Sequence, residues 1–197
     1  MASEIQVCNL ALSRVGAYRI QSLDDATKEA RECKLFYPFS RDAVLRDHDW
    51  GFARKRVSLA LLSETWSGWD YAYQYPVDCL VARKITPDAE TETGDKVEFE
   101  ISSNDSLSRR VILTNKEDAE LVYTAKVEDV NLFDAIFTDA LAWRLASELA
   151  IPLKAKADLQ NVLFQKYIFV LGRAEAINSN EGEKKPDHDN RYVGARS

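Results

Sequence analysis

Apolar residues recur at spacings of three and four near the start of the chain, where Ile5, Cys8, Leu12 and Val15 line up one stripe of a helix. Ser3 and Gln6 fit a capping box, in which a hydroxyl and an amide each satisfy one unpaired terminal amide, and Gly16 fits a left-handed closing residue. A second helix is expected from Asp24 or Asp25, whose carboxylates suit a helix N-terminus, through ATKEARECKLFYPFSRDAVLR. Pro38 lies inside it and removes an amide donor, so a kink near Tyr37 or a break into two shorter helices is expected. Beyond Trp50 the period becomes alternating. KVEFEI at 96–101 sets Val97, Phe99 and Ile101 on one face, RRVILT at 109–114 follows across a polar loop, and LVARKIT and ELVYTAK flank the pair. These segments read as an antiparallel meander of about four strands, punctuated by turns at 87–94 and 115–118. Helical periodicity returns at Asn131, a good N-cap, in NLFDAIFTDALAWRLASELA, which is apolar on most faces and therefore the most enclosed helix. Pro152 separates it from a last helix striped by Leu159, Leu163, Tyr167 and Val170.

The order of helices, strands and helices predicts an α+β fold. A helical bundle is expected from residues 1–50 and 128–177, a β-meander domain inserted at 51–127, and an extended C-terminal arm at 178–197. The arm, NSNEGEKKPDHDNRYVGARS, has almost nothing to bury and does not order itself alone, so it needs a partner's surface. Arg191, Tyr192, Val193 and Arg196 are its only anchoring chemistry.

Composition narrows the functional classes. The net charge of −6, with 32 acids against 26 bases, argues against a protein that coats duplex DNA, which needs a basic face to neutralise phosphate. No run approaches the roughly 18 apolar residues of a membrane helix, and the start lacks a basic leader region, so a soluble protein made in a cytoplasm is expected. Cys8, Cys33 and Cys79 are odd in number and far apart, which predicts three reduced, buried thiols.

The stretch from Arg46 to Leu80 is dense in aromatic residues. Trp50, Trp66, Trp69, Tyr71, Tyr73 and Tyr75 fall within it beside Phe52, and the six each join a large apolar body to a polar handle, a combination enriched where proteins pack on one another. These seven are the expected contacts with neighbouring subunits or other partner proteins. Arg54, Lys55 and Arg56 beside Trp50 and Phe52 form a candidate nucleic-acid patch, weakened because a strand places residues 54 and 56 on one face and Lys55 on the other. The aromatic cluster is also compatible with a sugar-binding platform. Asp47, His48 and Asp49, and Asp187, His188 and Asp189, lack the further ligands a metal or catalytic centre needs. With no Gly-rich phosphate loop, no G-x-S-x-G and no paired Cys and His, neither a catalytic residue, a metal site nor a cofactor is expected.

Five blocks together resemble the tail tubular protein A family of short-tailed bacteriophages: NLALSRVG at 9–16, SLDD at 22–25, VLRDHDWGFA at 44–53, YAYQYPVDCL at 71–80 and LFDAIFTDALAWRLA at 132–146. They cover most of the chain in the same order. The resemblance implies a structural virion protein and not an enzyme, in a ring of about twelve copies beneath the portal vertex. Such a ring extends the DNA ejection channel, through which double-stranded DNA passes without specific binding, and gives the distal nozzle and tail fibres a place to attach. It also implies that the helical part and the C-terminal arm engage the portal protein, and that the protein resides in the virion tail after assembly in the host cytoplasm. Two other readings stand beside it: a head-completion connector of a longer-tailed phage, and a nucleic-acid or glycan-binding module.

Overall fold

The computed structural model describes residues 3–86, 97–104 and 108–181, the last four as backbone alone, and its mixture of helix and antiparallel sheet is α+β. Helix α1 (Glu4–Val15) carries the expected capping box, the Ser3 hydroxyl accepting from the Gln6 amide at 3.2 Å and the Gln6 side chain accepting from the Ser3 amide at 2.9 Å. Gly16 closes it at φ 74°, a left-handed conformation that costs glycine little. Helix α2 (Lys28–Asp47) begins later than its carboxylates suggested. Thr27 caps it, accepting from the Ala30 amide at 3.2 Å, while Asp25 accepts from the amides of Gln21 and Ser22 and Asp24 pairs with Lys34.

Helix α2 runs as one helix through Pro38, so the chain does not break into two shorter helices there. Pro38 and Lys34, the residue whose carbonyl loses its donor, are both exposed, so no buried carbonyl is orphaned. Proline inside a helix costs about 3 kcal/mol. Burial of Ala30, Cys33, Tyr37, Val44 and Leu45 offsets it.

Helix α3 (Ala135–Lys154) is capped by Asp134, which accepts from the Phe137 amide at 2.6 Å; Asn131, the expected cap, lies in a short 3-10 turn before it. Pro152 sits in its last turn and does not end it; the chain turns at Ala155, φ 52°. Helix α3 is the enclosed one, packing on α1, α2 and on α4 (Ala157–Glu181). Phe137, Leu141, Leu145 and Leu149 are fully buried, and the alanines at 140, 142, 146 and 150 let neighbouring backbones approach. From α4, Leu163, Tyr167, Val170 and Ala174 fill the remaining side. The backbone of α4 continues to Glu181, so the first four residues expected in an extended arm are helical. Residues 182–197, with Arg191, Tyr192, Val193 and Arg196, lie outside the described residues.

Between the helices lie β1 (Arg54–Ser58), β2 (Tyr71–Gln74), β3 (Cys79–Ile85), β4 (Glu100–Ser103), β5 (Arg110–Thr114) and β6 (Glu120–Ala125). All pairings are antiparallel, but the order departs from a meander: β1-β6-β3 forms one sheet and β2-β5-β4 the other. Only β4 and β5 are both consecutive and paired. Alternation fixes which face of a strand is buried and leaves its partner open, which is why the sequence suggested neighbours in chain order. Single bridges, Leu61 with Tyr73 and Ile85 with Val97, join the two sheets at both seams and close them into a small six-stranded barrel. Tyr73, Ile85, Ile112, Leu121 and Tyr123 fill it. Strand β4 starts at Glu100, later than the alternation at 96–101 suggested, and Ile101 is 44% exposed instead of buried.

Every buried residue of the bundle core lies at or before Ala53 or at or after Val127, so the two ends of the chain build one core. Arginines couple bundle to barrel. Arg83 Nη2 donates to the carbonyls of Arg46 and His48 at the end of α2, at 3.1 and 2.8 Å, while its Nε donates to the Thr124 hydroxyl at 2.9 Å. A cation on the last carbonyls of a helix also suits the helix dipole. Arg46 returns the contact, donating to the Leu80 carbonyl at 2.6 Å. Cys8, Cys33 and Cys79 are buried free thiols.

Candidate functional site

Four of the seven expected contact aromatics serve the interior. Trp50 is 3% exposed, packs edge-on against Phe137 at 5.1 Å, and donates its indole N–H to the Val44 carbonyl at 2.8 Å. Phe52 is half-buried in the same stack. Tyr73 is buried in the barrel with its hydroxyl donating to the Lys116 carbonyl, and Tyr75 lies buried beneath the Arg110 guanidinium, 4.0 Å away. Burial is the main reason the Tyr75 phenol is pushed up to about 12. The polar handles of Trp50 and Tyr73 are used within the subunit, so Trp50, Tyr73 and Tyr75, all buried, present little area to a neighbour.

The other three reach solvent. Trp66 and Trp69 form a tight turn about Gly68, φ 87°, and cover Ala72, Val111 and Leu113 on the outer face of the second sheet. Both stay half-exposed, and Trp69 Nε1 donates to Glu100 at 3.3 Å. Tyr71, also half-exposed, stands beside a turn of like charge: Glu117 first, then burial, Asp70 and Asp118 push its phenol above the ordinary range.

The outer face of β1-β6-β3 carries the opposite charge. A cleft of about 510 Å³ is lined by Asp49, Arg54, Lys55, Arg56, Arg83, Lys84 and Val122. The register explains the cluster: Arg54 stands opposite Thr124 and Arg56 opposite Val122, while Lys84 flanks Val122 from the other side. Lys55 projects to the other face, as the strand period requires, and reaches Asp78 at 2.7 Å; that bond is the main reason the Asp78 carboxyl is held below its usual range. Asp49 accepts from Arg54 at 3.3 and 2.9 Å, and Glu120 lies 3.5 Å from Arg56. With three arginines and two lysines in its lining, the cleft is equipped to hold carboxylates or other anions.

Sequence reasoning found Arg54 and Arg56 and missed Arg83 and Lys84, which join them only through long-range pairing to β6. It also missed two apolar helix faces. Leu35 and Phe39 point outward from α2, 54% and 69% exposed, and Val162 and Phe169 from α4, 52% and 65% exposed. Their signal was present: both pairs fall off the buried stripe at helical spacing. Asp47 accepts from the Tyr167 hydroxyl at 2.6 Å, His48 packs edge-on against Trp50, and Asp49 holds Arg54, so the three diverge. Among the described residues no group of three or more His, Cys, Asp or Glu side chains is placed to hold a metal ion, and no helix is long and apolar enough to cross a membrane. Asp187, His188 and Asp189 lie outside the described residues. Comparison of the chain with protein-family models and with curated proteins gives no match.

Proposed function

We propose that this protein is a ring-forming head-to-tail adaptor of a short-tailed bacteriophage, joining the portal to the tail and extending the DNA ejection channel. The observation that carries the reading is the pair of unlike apolar faces, Leu35 with Phe39 on α2 and Val162 with Phe169 on α4. Large apolar side chains exposed in small clusters mark protein contacts. Two different faces give heterologous contacts, which build rings wherever the rotation between copies closes, whereas a single self-complementary face stops at a dimer. The blocks that carry the sequence resemblance fall on α1, on the turn before α2, on the end of α2 leading into β1, on β2 leading into β3, and on α3. In this reading the C-terminal arm docks on the portal through Arg191, Tyr192, Val193 and Arg196, the distal nozzle and tail fibres attach below, and duplex DNA slides through without specific binding.

Native mass spectrometry and electron microscopy of the full chain and of assembled particles test the proposal. A closed ring of about twelve copies is expected, with Leu35→Glu/Phe39→Glu folded but unable to close it. A particle-bound dimer as the sole assembly, or tight duplex binding at about 0.15 M salt in the range of specific DNA-binding proteins, refutes it.

A further inference from the structure

Among the described residues of the barrel, opposite charges gather at different levels along one strand. Arg54 stands opposite Thr124 near the end of β6 next to the helices, whereas the turn that carries Glu117 and Asp118 precedes Glu120 at the other end. Asp70 joins that turn, its amide donating to the Asn115 side chain at 2.9 Å. Asp70, Glu117 and Asp118 are all exposed, with Lys116 the one cation in the same turn. From Glu120 to Thr124 the strand spans roughly 14 Å.

We propose that the outer face of β1-β6-β3 is a docking surface for a second copy of this chain, which presents its acidic barrel tip, Asp70, Glu117 and Asp118, to the first copy's Arg54, Arg56 and Lys84. The contact follows from the charge distribution of the barrel; its closure into a ring rests on the adaptor reading above. Because both seams of the barrel are bridged, cleft and tip are held apart in one molecule and meet only between molecules. The two patches are different, so each copy gives one and receives one.

The cleft favours protein carboxylates over a nucleic-acid backbone for three reasons. Asp49 and Glu120 already sit on its arginines, which establishes that the geometry accepts carboxylates. The same two acids flank the row of cations and repel a polyanion that runs past either end. Trp50 and Phe52, the aromatics next to it in sequence, are packed inside, and Val122 is the one apolar residue in the lining, so bases find no stacking platform. Exposed charges of this kind set association rate and register more than affinity, and salt screens them.

Self-association of the full chain, followed by sedimentation and native mass spectrometry, tests the contact through two reversals checked for folding by circular dichroism. The cleft variant is Arg56→Glu/Lys84→Glu. The tip variant is Asp70→Lys/Glu117→Lys/Asp118→Asn, with asparagine at 118 because that residue holds φ 49°. Each variant alone is expected to self-associate at least about ten-fold more weakly than wild type at low salt, with the difference fading near 1 M salt. An equimolar mixture is expected to recover assembly, because the acidic tip of the cleft variant meets a basic cleft and the basic tip of the tip variant meets an acidic one. Wild-type assembly by either variant, a mixture that fails to recover, or duplex oligonucleotide binding that the cleft variant abolishes while self-association stays unchanged overturns the proposal. Rings that form without regard to these charges leave the adaptor reading standing without this contact; charge-dependent open filaments keep the contact and refute the ring.

Discussion

Replacing Trp50 separates its place in the structure from the role its sequence context suggested. In Trp50→Ala the cavity left beside Phe137 and Phe52 costs about 3–5 kcal/mol, the range for large aromatic truncations in a core. The Val44 carbonyl also loses the indole donor it holds at 2.8 Å, and a buried acceptor left without its partner adds about 1–3 kcal/mol. The two contributions overlap, since a wider cavity admits water to that carbonyl, so a total of about 4–5 kcal/mol is expected. For a chain of this size each kcal/mol moves the melting temperature about 2–4 °C, so the transition should fall by about 8–20 °C. Trp50→Phe keeps most of the packing and removes the donor, so about 2 kcal/mol is expected. Urea denaturation followed by circular dichroism, with the slope checked against wild type, measures both. If Trp50→Ala loses less than about 1 kcal/mol yet abolishes ring assembly, Trp50 is a contact residue and its burial against Phe137 is wrong.

Other perturbations have equally definite signs. Pro38→Ala returns an amide donor to the exposed Lys34 carbonyl and is expected to stabilise α2 by about 1–3 kcal/mol; a thermal melt that moves down contradicts the continuous helix. Burial holds the His48 imidazole below its ordinary pKa of 6.5. The unfolded chain therefore takes up that proton first as pH falls below about 6.5, and stability, full above that value, is lost on the way down. His48→Gln should flatten this part of the denaturation-versus-pH curve, and an unchanged curve refutes the assignment. On the proposed adaptor reading, truncation after Glu181 is expected to leave the melting temperature within about 2 °C of wild type while abolishing attachment to DNA-filled heads; a truncated chain that still attaches refutes the docking role proposed for Arg191, Tyr192, Val193 and Arg196.

The helices were legible because their signals are local. Ser3, Gln6 and Gly16 carry the whole geometry of α1 in their own side chains and backbone, and the stripe of Leu163, Tyr167 and Val170 faces α3 as its spacing requires. Prolines misled for a tertiary reason: Pro38 and Pro152 cost what local chemistry says, but the packing around α3 outweighs it. Strand partners were not legible. ELVYTA announces a buried strand without saying that it lies between RKRVS and CLVARKI, and the anion-holding face of Arg54, Arg56, Arg83 and Lys84 exists only because of that pairing. Aromatic density was ambiguous for the same reason, since Trp50 and Trp69 carry identical chemistry and only the fold decides that one reaches solvent.

Arg54 and Thr124 are register partners, which puts the points where the chain leaves and rejoins the bundle about one strand spacing apart, near 4.8 Å. The barrel is thus a cassette whose two chain connections to the bundle lie side by side, while β3 steadies it against the end of α2 through Leu80 and Arg83. A lineage carrying such a scaffold can exchange or resize its β module, and with it the surface it shows to whatever lies beyond, without altering how the helical part is built.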